Sequence, residues 1–590
     1  MLYTSKKILT IVGVFMVLTF SACNKYLDSS SLIGETSYYD LATAFSSVSN
    51  ATSVLNGAYQ SFQGDNGFGI RLNLYYPMST DESITSGAND NGRRAFSYYS
   101  VTSANTELEK PYRRLYDAVE RANLCIEQVP LMKNYNGVDS VALHSLHAQA
   151  LAIRALAYST LIQNFGDVPG IFTPAYRLPY NFVFTKMNRD SIYDQIVLTD
   201  LPLAISLSKW SNADPTRFSK AAIKALRARI ALFRGGYSLR RATSTMERSA
   251  DYLNYYTIAR DECSDIIQNG QNSLNPKYED IFHKYICGLQ KDITGEMLYQ
   301  VAMGDGQTNG GETSSKLGYY NGPKLAATTS FGPGGGGILM LPTYFYAFDS
   351  TDPRRDVTIA AYSRTTTVDV KSVPKITSLY DGKFRRDWRN PVLNSTSNYL
   401  GYDWPVIRYA DVLLMYAEAE NELNGPGNAI AAFETVRRRA LGSNIGTTPT
   451  DKLGFFNAIV KERSLEFGGE GIRKYDLIRW NLLKTKIDET RANMNDMFAT
   501  GGPIGKYTGY PTSMYYTNNG NEIVWQNSFY AEPTGILTGT KVDWCKGGTT
   551  ATTFITNYAQ YFTPNHGELI PIAQSIIDAS NNSLKNDYGY

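Results

Sequence analysis

Ile407-Arg408-Tyr409-Ala410-Asp411-Val412-Leu413-Leu414-Met415-Tyr416-Ala417-Glu418-Ala419-Glu420-Asn421-Glu422-Leu423 decides how this chain folds. Its apolar residues are not confined to one stripe, because Val412-Leu413-Leu414-Met415 carries them around nearly the whole circumference. A helix that is apolar on nearly every side lies buried among others, so the stretch predicts a central helix over 407–423. Helical spacing recurs on both sides of it. Leu143, Leu146, Ala150, Ile153, Ala157 and Leu161 mark a helix over 143–163. Phe165-Gly166-Asp167-Val168-Pro169 stops it. Ala222, Leu226, Ile230 and Phe233 mark another over 219–234, closed by Gly235-Gly236. Further helices fit 112–129, 191–208, 252–269, 427–440 and 456–467. Short connections between neighbours predict antiparallel, tetratricopeptide-like helix pairs, in a mainly α chain with little β-structure.

Between these blocks lie three long segments rich in Gly, Asn, Ser, Thr and Tyr, at 63–105, 301–340 and 499–563. Such segments in a compact protein are usually working surfaces. The expectation is a helical scaffold carrying irregular loop insertions that form a ligand face. The Gly334–Gly337 run lacks the following Lys-Ser/Thr of a phosphate loop and reads as a flexible loop.

The N-terminus carries an address. Lys6-Lys7, an apolar run from Ile8 to Val17 and then Leu18-Thr19-Phe20-Ser21-Ala22-Cys23 make a secretory signal too short to span a bilayer. The small pair before Cys23 resembles a bacterial lipobox, which predicts removal of residues 1–22 and acylation of Cys23. The formal charge of +2 shows no basic excess of the kind a nucleic-acid surface needs. The remaining cysteines, Cys125, Cys263, Cys287 and Cys545, form no C-x-x-C pair and no dense disulfide framework. Tyrosine outnumbers tryptophan 43 to 6, a composition suited to wet, amphipathic surfaces.

Trp404-Pro405-Val406-Ile407-Arg408-Tyr409-Ala410-Asp411, continuing to Leu423, closely resembles the SusD/RagB family of Bacteroidota surface lipoproteins. Matches follow in family order: Val436-Arg437-Arg438-Arg439-Ala440, Glu462-Arg463, Leu465-Glu466-Phe467, Gly469-Glu470-Gly471, Arg473, and Tyr475-Asp476-Leu477-Ile478-Arg479-Trp480. Arg154-Ala155, Phe165–Pro169, Phe218–Arg234, Ile570-Pro571-Ile572 and Asp587–Tyr590 extend the likeness over nearly the whole mature chain. The resemblance implies one domain over 23–590, in an N-terminal part (23–340) and a C-terminal part (341–590) that carries the signature at 404–480. It further implies a tetratricopeptide-like fold and an outer-membrane, outward-facing protein that binds a nutrient, usually an oligosaccharide. That protein would deliver its ligand to a SusC-like TonB-dependent transporter, with no catalytic residue and no cofactor. A peptide or other nutrient as ligand, or an exported scaffold that binds only protein, are the alternatives.

The densest charged group, Glu462, Arg463, Glu466, Glu470, Arg473, Asp476 and Arg479 beside the Asp411/Glu418 helix, reads as a partly buried Arg–carboxylate network rather than an active site. His144 and His147 lack a third metal ligand. Asn89-Asp90-Asn91-Gly92 lacks the spaced glutamate of an EF-hand and reads as a turn. The binding chemistry instead lies in loop aromatics, which pack on sugar rings while neighbouring polar groups meet the hydroxyls. The candidates are Asp81, Arg94, Phe96, Tyr98 and Tyr99 from the first loop, with Arg93 and Asn91 nearby, and Tyr319, Tyr320 and Asn321 from the second, with Phe331. The resemblance supports these segments by position only.

Overall fold

The computed structural model describes residues 41–211, 213–305, 310–365 and 367–590. The signal segment and Cys23 lie outside the described residues. The protein is mostly helical, with 45% helix and 9% strand. Its main helices are α1 (Val48–Gln60), α2 (Glu109–Gln128), α3 (Ser140–Phe165), α4 (Lys220–Gly235), α5 (Tyr252–Asn269), α6 (Tyr409–Asn424), α7 (Ile430–Leu441), α8 (Lys452–Phe467) and α9 (Arg473–Arg479). Side-chain caps start several of them: Ser47 accepts from Asn50 N, Ser219 from Ala222 N and Asp451 from Gly454 N. Each cap satisfies one of the free N–H groups of a helix start. Helix α1 packs on α2 and α2 on α3; α4 packs on α5, α5 on α6, and α6 on α7 and α8. This is the tetratricopeptide-like stacking of sequential helix pairs.

The central helix is buried as its composition requires, with Val412, Leu413, Leu414, Met415, Ala417 and Ala419 all in the core. It begins two residues later than its periodicity suggested. Trp404–Arg408 is instead a strand, paired antiparallel with Met297–Val301. The predicted helix over 191–208 is also broken, into Arg189–Gln195, a π-helical turn at Ile196–Asp200, and Leu201–Leu207. Pro202 explains this break, because it has no N–H and its ring crowds the carbonyl four residues back.

The three segments expected to be irregular are more ordered than that. In 63–105 the chain turns inward, burying Phe68, Ile70, Leu72, Leu74, Tyr75 and Tyr76 around a π-helical turn at Arg71–Tyr75. Strand Ser83–Thr85 then pairs antiparallel with Ile338–Met340 from the second segment. Leu379–Asp381 and Ile359–Ala360 complete that four-stranded sheet. This pairing, invisible as periodicity, sets the two expected ligand loops side by side. In 499–563, strands Glu522–Trp525, Ser513–Asn519 and Thr540–Asp543 form an antiparallel sheet over Phe345, Tyr346, Phe529 and Trp544.

The Gly334–Gly337 run is a packed bed rather than a flexible loop. The N–H groups of Gly335 and Gly336 donate to the Tyr319 carbonyl and that of Gly337 to the Tyr320 carbonyl. A Cβ on Gly337 would lie 2.9 Å from Tyr320 Cδ1, and Gly336 has φ +60° with Tyr380 close by. Only glycine suits both demands.

Buried side chains from Ala44 to Leu584 form one contiguous hydrophobic cluster, with Ala360, Tyr362 and Tyr380 in a small second one. Cys125, Cys263, Cys287 and Cys545 are buried free thiols.

Candidate functional site

The signature charges settle into the interior. Arg408 lies between Glu296 (2.8 Å), Glu466 (2.9 Å) and Glu470 (2.7 Å). Glu466 also meets Arg439 and Arg354, and Lys383 meets Glu470. Arg463 joins Asp411 at 2.6 Å to Asp476 at 2.7 Å, and Arg479 joins Asp476 to Glu418. Burial alone would raise the Glu466 carboxyl, but the Arg439, Arg408 and Arg354 guanidiniums override it and hold it at about 2. These carboxylates are paired and shielded from solvent, and they hold α6, α8 and α9 in register.

The other chemistry-bearing residues are equally occupied. His147 Nδ1 shares a 2.8 Å hydrogen bond with the Tyr135 hydroxyl, and His144 packs edge-on against the same ring. Burial pushes His147 down to about 4. Asp90 Oδ1 accepts from Gly92 N and Arg94 N, and Asn89 Oδ1 from Asn91 N, which is turn geometry. Among the described residues no three His, Cys, Asp or Glu side chains group as metal ligands.

The predicted ligand residues separate into two groups. Phe96, 2% exposed, stacks on Tyr76 at 4.8 Å in the core. Tyr98 is 3% exposed and donates to the Gly87 carbonyl. Tyr99 donates to the Ser79 carbonyl at 2.7 Å and packs on Phe562. Asp81 accepts from Arg473 Nε at 2.8 Å and Nη2 at 2.7 Å, tying the first loop to α9. Asn321, 1% exposed, donates to Asp381. Phe331 lies under the Arg364 guanidinium, which stands 5.1 Å from the Phe331 ring centre. All six are engaged within the chain, with Phe96, Tyr98 and Asn321 buried, and the inward fold of the first loop around Tyr76 accounts for Phe96 and Tyr98.

Arg94 and Tyr320 do come together. They line a cavity of about 350 Å³ with Leu74, Tyr75, Ser86, Arg93 and Glu107, a volume within the usual range for a small-ligand site. The π-helical turn places Arg71 and Tyr75 in position at its back. Arg71 Nε pairs with Glu107 at 2.7 Å, and the Tyr75 ring lies 5.7 Å from the Arg93 guanidinium. Arg93 Nη1 donates to the Tyr320 hydroxyl at 3.2 Å, bridging the two loops. Tyr320 meets Tyr75 edge-on at 6.5 Å, and Tyr319 stands behind it at 4.9 Å. Tyr75 and Glu107 escaped the sequence reading, since one lies in an apolar run and the other outside the aromatic cluster. The signal that marks them is their spacing from Arg71 and Arg93, legible only once the π-turn is known.

Two further cavities carry less convergent chemistry. One of about 400 Å³ lies beside Tyr59 and Arg217, and one of about 630 Å³ lies beside Asp403. Burial pushes Asp403 up to about 7, but its two oxygens already accept from Gln300 Nε2 and Met303 N.

A model of the SusD family matches residues 342–590, and a SusD-like model described as starch-binding associating with outer membrane matches residues 25–232. The SusD-like protein P25 of Formosa agariphila is 25% identical over 523 residues, 81% of this chain and 91% of that protein. A SusD homolog from Bacteroides thetaiotaomicron has the same fold, with a TM-score of 0.74 at 21% identity over 93% of this chain and 99% of that one. A laminarin binding SusD-like protein superposes with a TM-score of 0.59 at 23% identity, over 75% of this chain and 93% of that one. Matched by SusD-type models at 25–232 and at 342–590, with 233–341 between them covered by neither, and similar to SusD-like proteins over most of its length, the chain belongs to the SusD/RagB family.

Proposed function

We propose that the protein binds an oligosaccharide in the cavity between Arg93, Arg94 and Tyr320 and hands it, uncleaved, to a partner TonB-dependent outer-membrane transporter. One observation carries this reading: an aromatic ring and two guanidiniums from separate loops converge on one open cavity. Tyrosine supplies a flat apolar face with a hydroxyl at its edge, and the guanidiniums supply donors for ring hydroxyls. The laminarin binding relative and the starch-binding description of the N-terminal model support a carbohydrate ligand. Cleavage is disfavoured because glycosidases need two carboxyl groups facing the bond. Here Asp90 is tied into a turn and Glu107 is held by Arg71 and Arg93. Acylated Cys23 is the proposed tether, with the protein facing the cell exterior. Among the described residues no helix is long and apolar enough to cross a membrane. A tether of this kind keeps the site at high local concentration beside its transporter.

Glycan-array binding of the mature chain, repeated with Tyr320→Ala, tests the reading. Saccharide binding that is lost in the variant, without reducing-end release, is expected. Reducing-end release, or array binding unchanged by Tyr320→Ala, would overturn it.

A further inference from the structure

The charged groups of this cavity differ in how far they are occupied and exposed. Two guanidiniums, Arg93 and Arg94, and two carboxylates, Asp90 and Glu107, line it, while Arg71 pairs with Glu107 from behind. Both carboxylates are occupied. Asp90 accepts from Gly92 N, Arg94 N and Arg94 Nη1, each at 2.9 Å. Glu107 is shared by Arg71 at 2.7 Å and Arg93 at 3.4 Å, and its side chain is 13% exposed against 37% for Arg93. The charge offered to an entering molecule is therefore a guanidinium. Among the described residues Glu107 is the only carboxylate within ion-pair distance of Arg93, and that contact is long and shared. The Tyr320 hydroxyl and the Tyr75 ring hold the group in place.

We infer that the site selects glycans bearing an oxyanion, a uronate carboxylate or a sulfate ester, received by Arg93 while Tyr320 packs on the sugar ring. This rests on the carbohydrate-binding reading of the same cavity. A guanidinium presents a planar fork of donors that matches a carboxylate or sulfate edge. Neutral hydroxyls accept its hydrogen bonds but add no charge to the long contact it shares with Glu107. Partial enclosure reduces the screening of such a pair by salt.

Titration calorimetry of the mature chain with an oligogalacturonate, a sulfated oligosaccharide and a neutral oligosaccharide of equal length tests this. At least one anionic arm is expected to bind more tightly than the neutral one and to weaken as NaCl is raised. Arg93→Gln is expected to weaken that arm by about tenfold to 100-fold, and Arg93→Lys by less, with both variants melting like the parent. The arm that responds separates carboxylate from sulfate. Equal or tighter binding of the neutral glycan, or anionic binding indifferent to Arg93→Gln, would overturn the inference while leaving carbohydrate binding intact. Binding of none of the three would overturn both.

Discussion

Replacing Arg408 with methionine tests whether the signature charges are scaffold. Arg408 is 1% exposed and neutralises Glu296, Glu466 and Glu470 together. Removing one partner of a buried ion pair costs about 3–5 kcal/mol, because the remaining charge has no water to return to. Here Glu466 keeps Arg439 and Arg354, Glu296 keeps Arg439, and Glu470 keeps Lys383, which places the cost toward the lower end. Roughly 550 residues at ~2.1 cal/mol/K each give an unfolding entropy of about 1.2 kcal/mol/K, so Tm falls by about 2.5–3 °C. An exposed pair is the control: Lys484→Met, opposite Asp488, shifts Tm by less than ~1 °C. The pH dependence carries a second signature. Glu466 titrates at about 2 when folded against an ordinary 4.5, so its stabilisation is complete above about 4.5 and is lost as pH falls toward 2. Without Arg408 that folded value rises, and acid unfolding begins at higher pH. Scanning calorimetry across pH 2–7 measures both effects. An Arg408→Met protein with unchanged Tm and an unchanged acid limb would refute the scaffold reading.

Two other outcomes follow from the packing. Gly337→Ala places a methyl against the Tyr320 ring and should cost about 1–3 kcal/mol, lowering Tm and weakening glycan binding together. Wild-type Tm with full binding would show that the glycine bed does not position Tyr320. Cys125, Cys263, Cys287 and Cys545 should resist a thiol reagent in the native protein and react fully after denaturation, since burial pushes Cys125 and Cys545 up to about 12. Rapid native labelling of any of the four would contradict their burial.

The scaffold was readable because helix burial is a local, periodic property. Leu143–Leu161, Ala222–Phe233 and Val412–Met415 each carry their own pattern, and α3, α4 and α6 follow it. The Arg–carboxylate network was readable from charge density at 462–479 beside Asp411 and Glu418. The ligand face was readable only in outline. Which loop aromatics face solvent depends on the pairing of Ser83–Thr85 with Ile338–Met340, a contact across more than 250 residues that leaves no periodic trace. That pairing and the inward turn at Arg71–Tyr75 bury Phe96 and Tyr98 and leave Tyr320 at the cavity. Gly334–Gly337 looked flexible because glycine runs usually are; its constraint is the pair of tyrosines resting on it.

The most direct test of the central claim is a crystal structure of the mature chain with its best array ligand bound. The expected result is a sugar ring against Tyr320 with a substituent within hydrogen-bond distance of the Arg93 guanidinium. Saccharide density confined to the cavity beside Tyr59 or the one beside Asp403, with the Arg93–Tyr320 cavity empty, would contradict it.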